Sequence, residues 1–351
     1  MMKKLFILFS VFALVAGFAA SAAAADWNFY GSARFKTFHE IDDKVNAGTL
    51  DDDGDTTWDL QGNARLGATV KNGDVGGGFE YGSGPNLRKL YGTYQFGNNE
   101  LLVGQTYTPV SNYFYSNQVW GDDNDLLGTG QAYAGRIPMI QFTLNKMVKI
   151  ALVRPSSTDL GTGGDVDVIL PKLEVSYNMS KEKFFMDAFA GVQTFTVEEL
   201  GVGGSEDVSV TSYVVGVGGG VNLGKAYVNA AVNYAMNGGD YGLVSQGNNS
   251  ATYDAVANDI NDNATFGGLL VAGIKASDKV TVELGVGYDT NDLDGTAEKD
   301  ETICYYVNTT YSFADGVFIV PEIGYFDYMD DNTGADEGNK LYFGAKTQIN
   351  F

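Results

Sequence analysis

The 351-residue chain contains one cysteine and one histidine, carries half as many basic as acidic residues, and shows no long apolar run after its first 25 residues. A single cysteine, Cys304, cannot close an internal disulfide, so a disulfide scaffold is excluded. The one histidine, His39 beside Glu40, leaves little for metal or triad chemistry, and no recognisable nucleophile accompanies it; an enzyme is the disfavoured reading. With 22 Lys and Arg against 44 Asp and Glu, the net charge of −22 repels phosphate and argues against a nucleic-acid partner. Beyond residue 25 nothing approaches the ~20 apolar residues of a spanning helix.

What is present narrows the class further. The 21 Tyr, 21 Phe and 3 Trp offer more buriable surface than a disordered chain carries. Lys3 and Lys4, the apolar run from Leu5 to Ala20 and the small residues Ala23 and Ala25 read as a secretory signal over residues 1–25. An uncleaved anchor is the alternative, disfavoured by the short run and the Ala-x-Ala site. Residues 26–351 then form one domain.

In that domain the dominant period is two, which is the period of strands with unlike faces. Leu341, Phe343, Ala345, Thr347, Ile349 and Phe351 share one face, opposite Lys340, Tyr342, Lys346, Gln348 and Asn350. Earlier in the chain Leu60, Ala64, Leu66, Ala68 and Val70 oppose Asp59, Gln61, Asn63, Arg65, Thr69 and Lys71. Tight turns are expected near Asn72-Gly73-Asp74, Asn98-Asn99, Asn145-Lys146, residues 180–183, Asn222-Leu223-Gly224, Ser277-Asp278-Lys279 and Ala314-Asp315-Gly316. Between them run connections over approximately 39–57, 84–87, 109–135, 155–169, 200–207, 238–263, 290–300 and 329–338, all but the second longer than the turns. Turns at one end and loops at the other imply about sixteen strands in an all-β, antiparallel, up-and-down transmembrane barrel, because closure removes the edges that lipid cannot hydrogen-bond. A secreted sandwich would alternate similarly but has no reason to segregate turn lengths by end. On this reading Tyr81, Tyr94, Phe96, Tyr107, Tyr177, Tyr288, Tyr311, Phe313 and Tyr325 form interfacial girdles near strand ends.

The chain resembles the general porins of bacterial outer membranes, a trimeric sixteen-stranded family. The likeness spans the whole domain and rests on the signal segment, the alternating turn lengths, the terminal strand ending in Phe351, and a long third loop that begins with Gly104-Gln105-Thr106-Tyr107-Thr108-Pro109. The resemblance implies that residues 109–135 fold into the barrel and narrow it. It further implies that Asp122, Asp123 and Asp125 are the acidic side of a constriction facing a basic wall of Arg34, Arg65, Lys89 and Arg136. Arg88 and Arg136 have the wrong parity for regular strands, which points to a rim or an irregularity such as Pro138. Phe351 is expected to be read by the outer-membrane assembly machinery; homotrimers, outer-membrane lipid and lipopolysaccharide are the other expected partners. The second connection, unlike that of many family members, is very short.

No cofactor is expected, although Asp51, Asp53 and Asp55 in the first connection could bind Ca²⁺. Nearly all the excess acidity falls in the long connections, where Lys44 and Lys299 are the only basic residues. The expected function is passive diffusion of ions and small hydrophilic solutes, with cations preferred because of the acidic mouth. Alternatives are a substrate-specific channel, which an aromatic track in the lumen would favour, and a structural or adhesive barrel with a closed lumen.

Overall fold

The computed structural model describes residues 25–46, 49–84, 86–111, 113–200 and 206–351. Of the expected signal segment only Ala25 is therefore described. The period-two stretches become sixteen antiparallel strands closed into a barrel. They are β1 (Asp26–Asn46), β2 (Thr49–Leu60 and Arg65–Asn72), β3 (Val75–Gly82), β4 (Leu87–Phe96), β5 (Asn99–Tyr107), β6 (Arg136–Leu144), β7 (Val148–Val153) and β8 (Asp165–Asp167 and Lys172–Ser180). The second half comprises β9 (Phe184–Leu200), β10 (Glu206–Asn222), β11 (Ala226–Met236), β12 (Asn263–Lys275), β13 (Val280–Leu293), β14 (Asp300–Ala314), β15 (Val317–Asp327) and β16 (Asn339–Asn350). Closure is made by β16 on β1, in register from Ser32↔Asn350 to Asp43↔Asn339. Gly31 and Phe351 complete that seam by exchanging both backbone hydrogen bonds, at 2.7 and 3.0 Å.

Every expected tight turn joins two strands at one end of the barrel. Differences arise at the other end. The expected first loop, 39–57, is largely a continuation of β1 and β2, which stay paired out to Asn46↔Thr49. The 155–169 connection likewise contains a strand segment, Asp165–Asp167, which pairs with β9 beyond the break in β8. In β2 the interruption at 61–64 sets four residues against Ala33 and Arg34 of β1, between Phe35↔Leu60 and Ser32↔Arg65. This insertion is even, so the two halves of β2 keep the same parity: Trp58, Leu60 and Leu66 all remain outside.

The outer face is apolar and exposed: Phe29, Leu90, Ile140, Val215, Leu284 and Ile323 are examples from strands around the circumference. A closed sheet whose strands each pair with a neighbour on both sides, with such a surface, satisfies the requirements of a spanning barrel. Among the described residues no helix is long and apolar enough to cross a membrane. Tyr81, Tyr94, Phe96, Tyr311 and Phe313 lie exposed on this face, as girdle residues would. Tyr107 does not: it turns into the lumen, a correction with a local cause. Val103 and Ile140 pair on the outside, whereas Tyr107↔Arg136, the second same-parity pair beyond them, lines the interior. Between them lie Pro138 and Gly104, whose φ of +132° and contact with the Leu90 carbonyl exclude a side chain. The same change of face explains the parity of Arg136.

Candidate functional site

The third connection, residues 108–135, folds into the barrel and lies against the wall from β8 to β16. An irregular backbone inside a protein needs partners for its N–H and C=O groups, and lumen-facing strand side chains supply them. Glu322 of β15 accepts from the Val119 and Trp120 amides at 2.7 and 2.8 Å. Glu283 of β13 accepts from the Asn117 amide and side chain, both at 2.7 Å. Asn229 and Asn233 of β11 donate to the Tyr115 and Gly130 carbonyls at 2.7 and 2.9 Å. Gln118 reaches the Tyr342 hydroxyl at 2.8 Å. Apolar contact completes the anchoring, because Tyr115, Val119 and Leu126 pack among Phe38, Leu269, Tyr306, Phe326 and Tyr342. Cys304 is buried in this cluster as a small filler. Where the loop crosses β13 the wall residue is Gly287, since any side chain there would meet the Thr129 carbonyl.

A second connection, residues 237–262, also turns inward. Its short helical segment Gly238–Tyr241 buries Tyr241, whose hydroxyl donates to Glu174 of β8 at 2.9 Å. Glu174 also accepts from the Val110 amide at 3.1 Å, so one carboxylate ties both loops to the wall. Farther along, the Val244 and Gln246 amides donate to the Tyr133 and Gly128 carbonyls, at 3.0 and 3.1 Å. This loop clasps the returning leg of the third.

The acidic tip does not hang free across a gap. Asp123 pairs with Arg34 of β1 and with Lys346 of β16, the latter at 2.8 Å. Asp122 is 3.6 Å from Lys36 and accepts from the Gly62 amide at 2.6 Å. The interruption in β2 makes this docking possible by swinging Gln61 and Asn63 inward, onto the Val119 carbonyl at 3.0 Å and the Asp123 carboxylate at 3.0 Å. Burial alone would raise the Asp123 carboxyl, but Lys346 and Arg34 beside it hold it below its ordinary value.

Open lumen therefore remains on the side of β1–β7. One cavity of about 720 Å³ lies between the loop and this wall, lined by Arg34, Arg65, Arg88 and Arg136 and, on the loop, by Asp122, Asp123 and Asp125. Another of about 1040 Å³ opens toward the short-turn end, among Asp26, Lys71, Glu100, Lys146 and Lys149. Of the basic residues expected here, Arg34 is tied to Asp123, while Arg65 and Lys89 flank Glu80 at 3.8 and 3.5 Å. Arg136 donates to the Tyr107 hydroxyl at 3.0 Å.

Two participants stand outside the expected constriction set, and Arg88 sits at an irregularity of the kind its parity implied. Arg88 is 2.7 Å from Glu80 and faces inward because the β3–β4 register slips between Glu80↔Lys89 and Tyr81↔Leu87; the bulge turns both Arg88 and Lys89 to one side. Glu80, 1% exposed, also accepts from Tyr30 at 3.0 Å. Its signal was present: a carboxylate on the lumen parity of a glycine-rich strand. As for the other expected sites, the Asp51 and Asp53 side chains lie outside the described residues. Asp55 is exposed on an extended strand opposite Glu40. Phe351 projects outward, 72% exposed.

No protein-family model and no curated sequence matches the chain. Solved structures do. The outer membrane channel DcaP of Acinetobacter baumannii superimposes with a TM-score of 0.74 at 19% identity, covering 94% of this chain and 98% of that one. The trimer form of OmpT, an outer membrane protein of Vibrio cholerae, gives 0.61 at 16%, covering 93% and 100%. An anion-selective porin from Comamonas acidovorans gives 0.63 at 12%, again covering 93% and 100%. At these identities the likeness is one of fold, and that fold is the sixteen-stranded porin barrel.

Proposed function

We propose that the protein is a bacterial outer-membrane diffusion pore, passing ions and small hydrophilic solutes without chemistry along the β1–β7 side of its lumen. The observation that carries this reading is the pair of cavities, both lined in part by charged side chains, on that side of a closed, lipid-compatible barrel. Its constriction consists of Asp125 on the loop and Arg34, Arg65, Arg88, Lys89 and Arg136 on the wall, with Asp122 and Asp123 pinning the loop tip. Charges of both signs around a narrow passage order water and orient dipolar solutes, which disfavours large or apolar molecules. Acidic connections at the mouth enrich cations. Assembly as a homotrimer, contact with lipopolysaccharide, and recognition of the Phe351 strand by the assembly machinery belong to the same reading.

A substrate-specific channel is the second reading, favoured by the ring cluster of Tyr107, Phe114 and Tyr133 in the lumen. Purified protein in planar bilayers and in liposomes separates the two. A general pore gives steady, non-saturating conductance and swelling that falls smoothly with sugar size. Conductance that saturates and is blocked by one solute class supports the specific channel, and a protein that neither conducts nor swells liposomes is not a pore.

A further inference from the structure

Of the two cavities, the described residues that line both reduce to one, Tyr107. It stands at the end of β5, where the chain leaves the wall to become the third loop, and its ring is held from several directions. Arg136 donates to its hydroxyl and lies 5.2 Å from the ring centroid, and Lys89 lies 5.3 Å from it. Phe114 on the descending leg of the loop meets the ring edge-on at 5.4 Å, and Tyr133 on the returning leg lies at 6.5 Å. Two cation contacts, one edge-to-face ring and one tilted ring around it leave the Tyr107 side chain few rotamers. A rigid ring shared by two consecutive chambers is a partition between them.

We propose that Tyr107 is the specificity-determining side chain of this pore: its ring is the sill that a solute crosses between the chambers, and it sets the size limit. The inference rests on the pore reading above. It moves the limit from the carboxylates of the loop tip, which are tied to the wall at β1 and β16, to a wall residue fixed by both legs of the loop. A ring at this point acts by bulk, so its effect depends on the size of the solute and hardly on its charge.

The test measures liposome swelling for arabinose, glucose, sucrose and raffinose with wild type, Tyr107→Ala, Tyr107→Phe and Tyr107→Trp. Removing the ring should raise the sucrose-to-arabinose rate ratio by about threefold or more, because pore diameter governs passage most strongly near the limit. Tyr107→Phe, which loses the hydroxyl and keeps the ring, should leave the ratio at the wild-type value. Tyr107→Trp should lower it, and gives a reading even if the alanine variant does not fold. An unchanged ratio in the alanine or tryptophan variant of a conducting protein overturns the inference alone, as does a uniform scaling of all four sugars. A wild type that produces no swelling overturns the pore reading, and the inference with it.

Discussion

Glu80 gathers Arg65, Arg88, Lys89 and Tyr30 around one almost fully buried carboxylate. Three cations this close would repel one another without it, and each has lost part of its hydration to be there. Glu80→Gln should therefore do two things at once. Removing one partner of a buried ion pair is worth about 3 kcal/mol, read as a lower urea midpoint for the folded barrel. In the surviving folded channels the wall gains one unit of positive charge, so chloride permeability should rise relative to potassium; stability and selectivity both unchanged would show that the carboxylate is not ionised. Legibility at this scale was uneven. Parity placed Arg34, Arg65 and Lys89 inside because β1 is regular at Arg34, the interruption before Arg65 is even, and Lys89 keeps the alternation of the rest of β4 beyond the bulge. It failed for Arg88 and Tyr107 because a bulge and a change of face at Gly104 and Pro138 each shift the alternation, and parity carries no information across an irregularity.

Among the elements, the turns were legible because Asn, Gly and Asp mark tight hairpins directly, whereas the inward loops were legible only in position. The third loop could be located between β5 and β6, but its path is determined by Glu174, Glu283 and Glu322, acidic residues of the strands whose role as acceptors for loop amides depends on residues far away in sequence. The inward turn of residues 237–262 gave no local signal at all, since its anchor is again Glu174 and its clasp is made of backbone amides. That clasp should have a measurable consequence. Replacing Val244 and Gln246 with proline, which has no N–H, removes the bonds they donate to the Tyr133 and Gly128 carbonyls. Amide hydrogen exchange across residues 128–134 should then accelerate by about tenfold, the equivalent of ~1.4 kcal/mol of local opening. Exchange at Asn117, Val119 and Trp120, which are held by Glu283 and Glu322, should stay as slow as in wild type. Equal acceleration of both groups would mean that the loop opens as one unit and the clasp has no separate role.

Across the whole molecule the charge is arranged in two layers, and salt tells them apart. The long connections carry nearly all the excess acidity, while the passage beneath them is lined by Arg34, Arg65, Arg88 and Arg136. Asp123 is balanced by Arg34 and Lys346, and Asp122 lies beside Lys36, so the loop tip adds little free negative charge to the passage. Loop charges act on a permeating ion through water, over a Debye length of about 30 Å at 0.01 M salt but only about 3 Å at 1 M. Wall arginines act at contact distance in a confined space and are screened less. Reversal potentials measured under fixed gradients should therefore give potassium preference near 0.01 M, a falling ratio through 0.15 M, and chloride preference toward 1 M. Neutralising Asp330, Asp331 and Asp336 in the last connection should depress only the low-salt limb, and Arg65→Gln with Arg88→Gln only the high-salt one. A potassium-to-chloride ratio that does not move with ionic strength would place the deciding charges in one layer, and the two-layer arrangement would then have no bearing on selectivity.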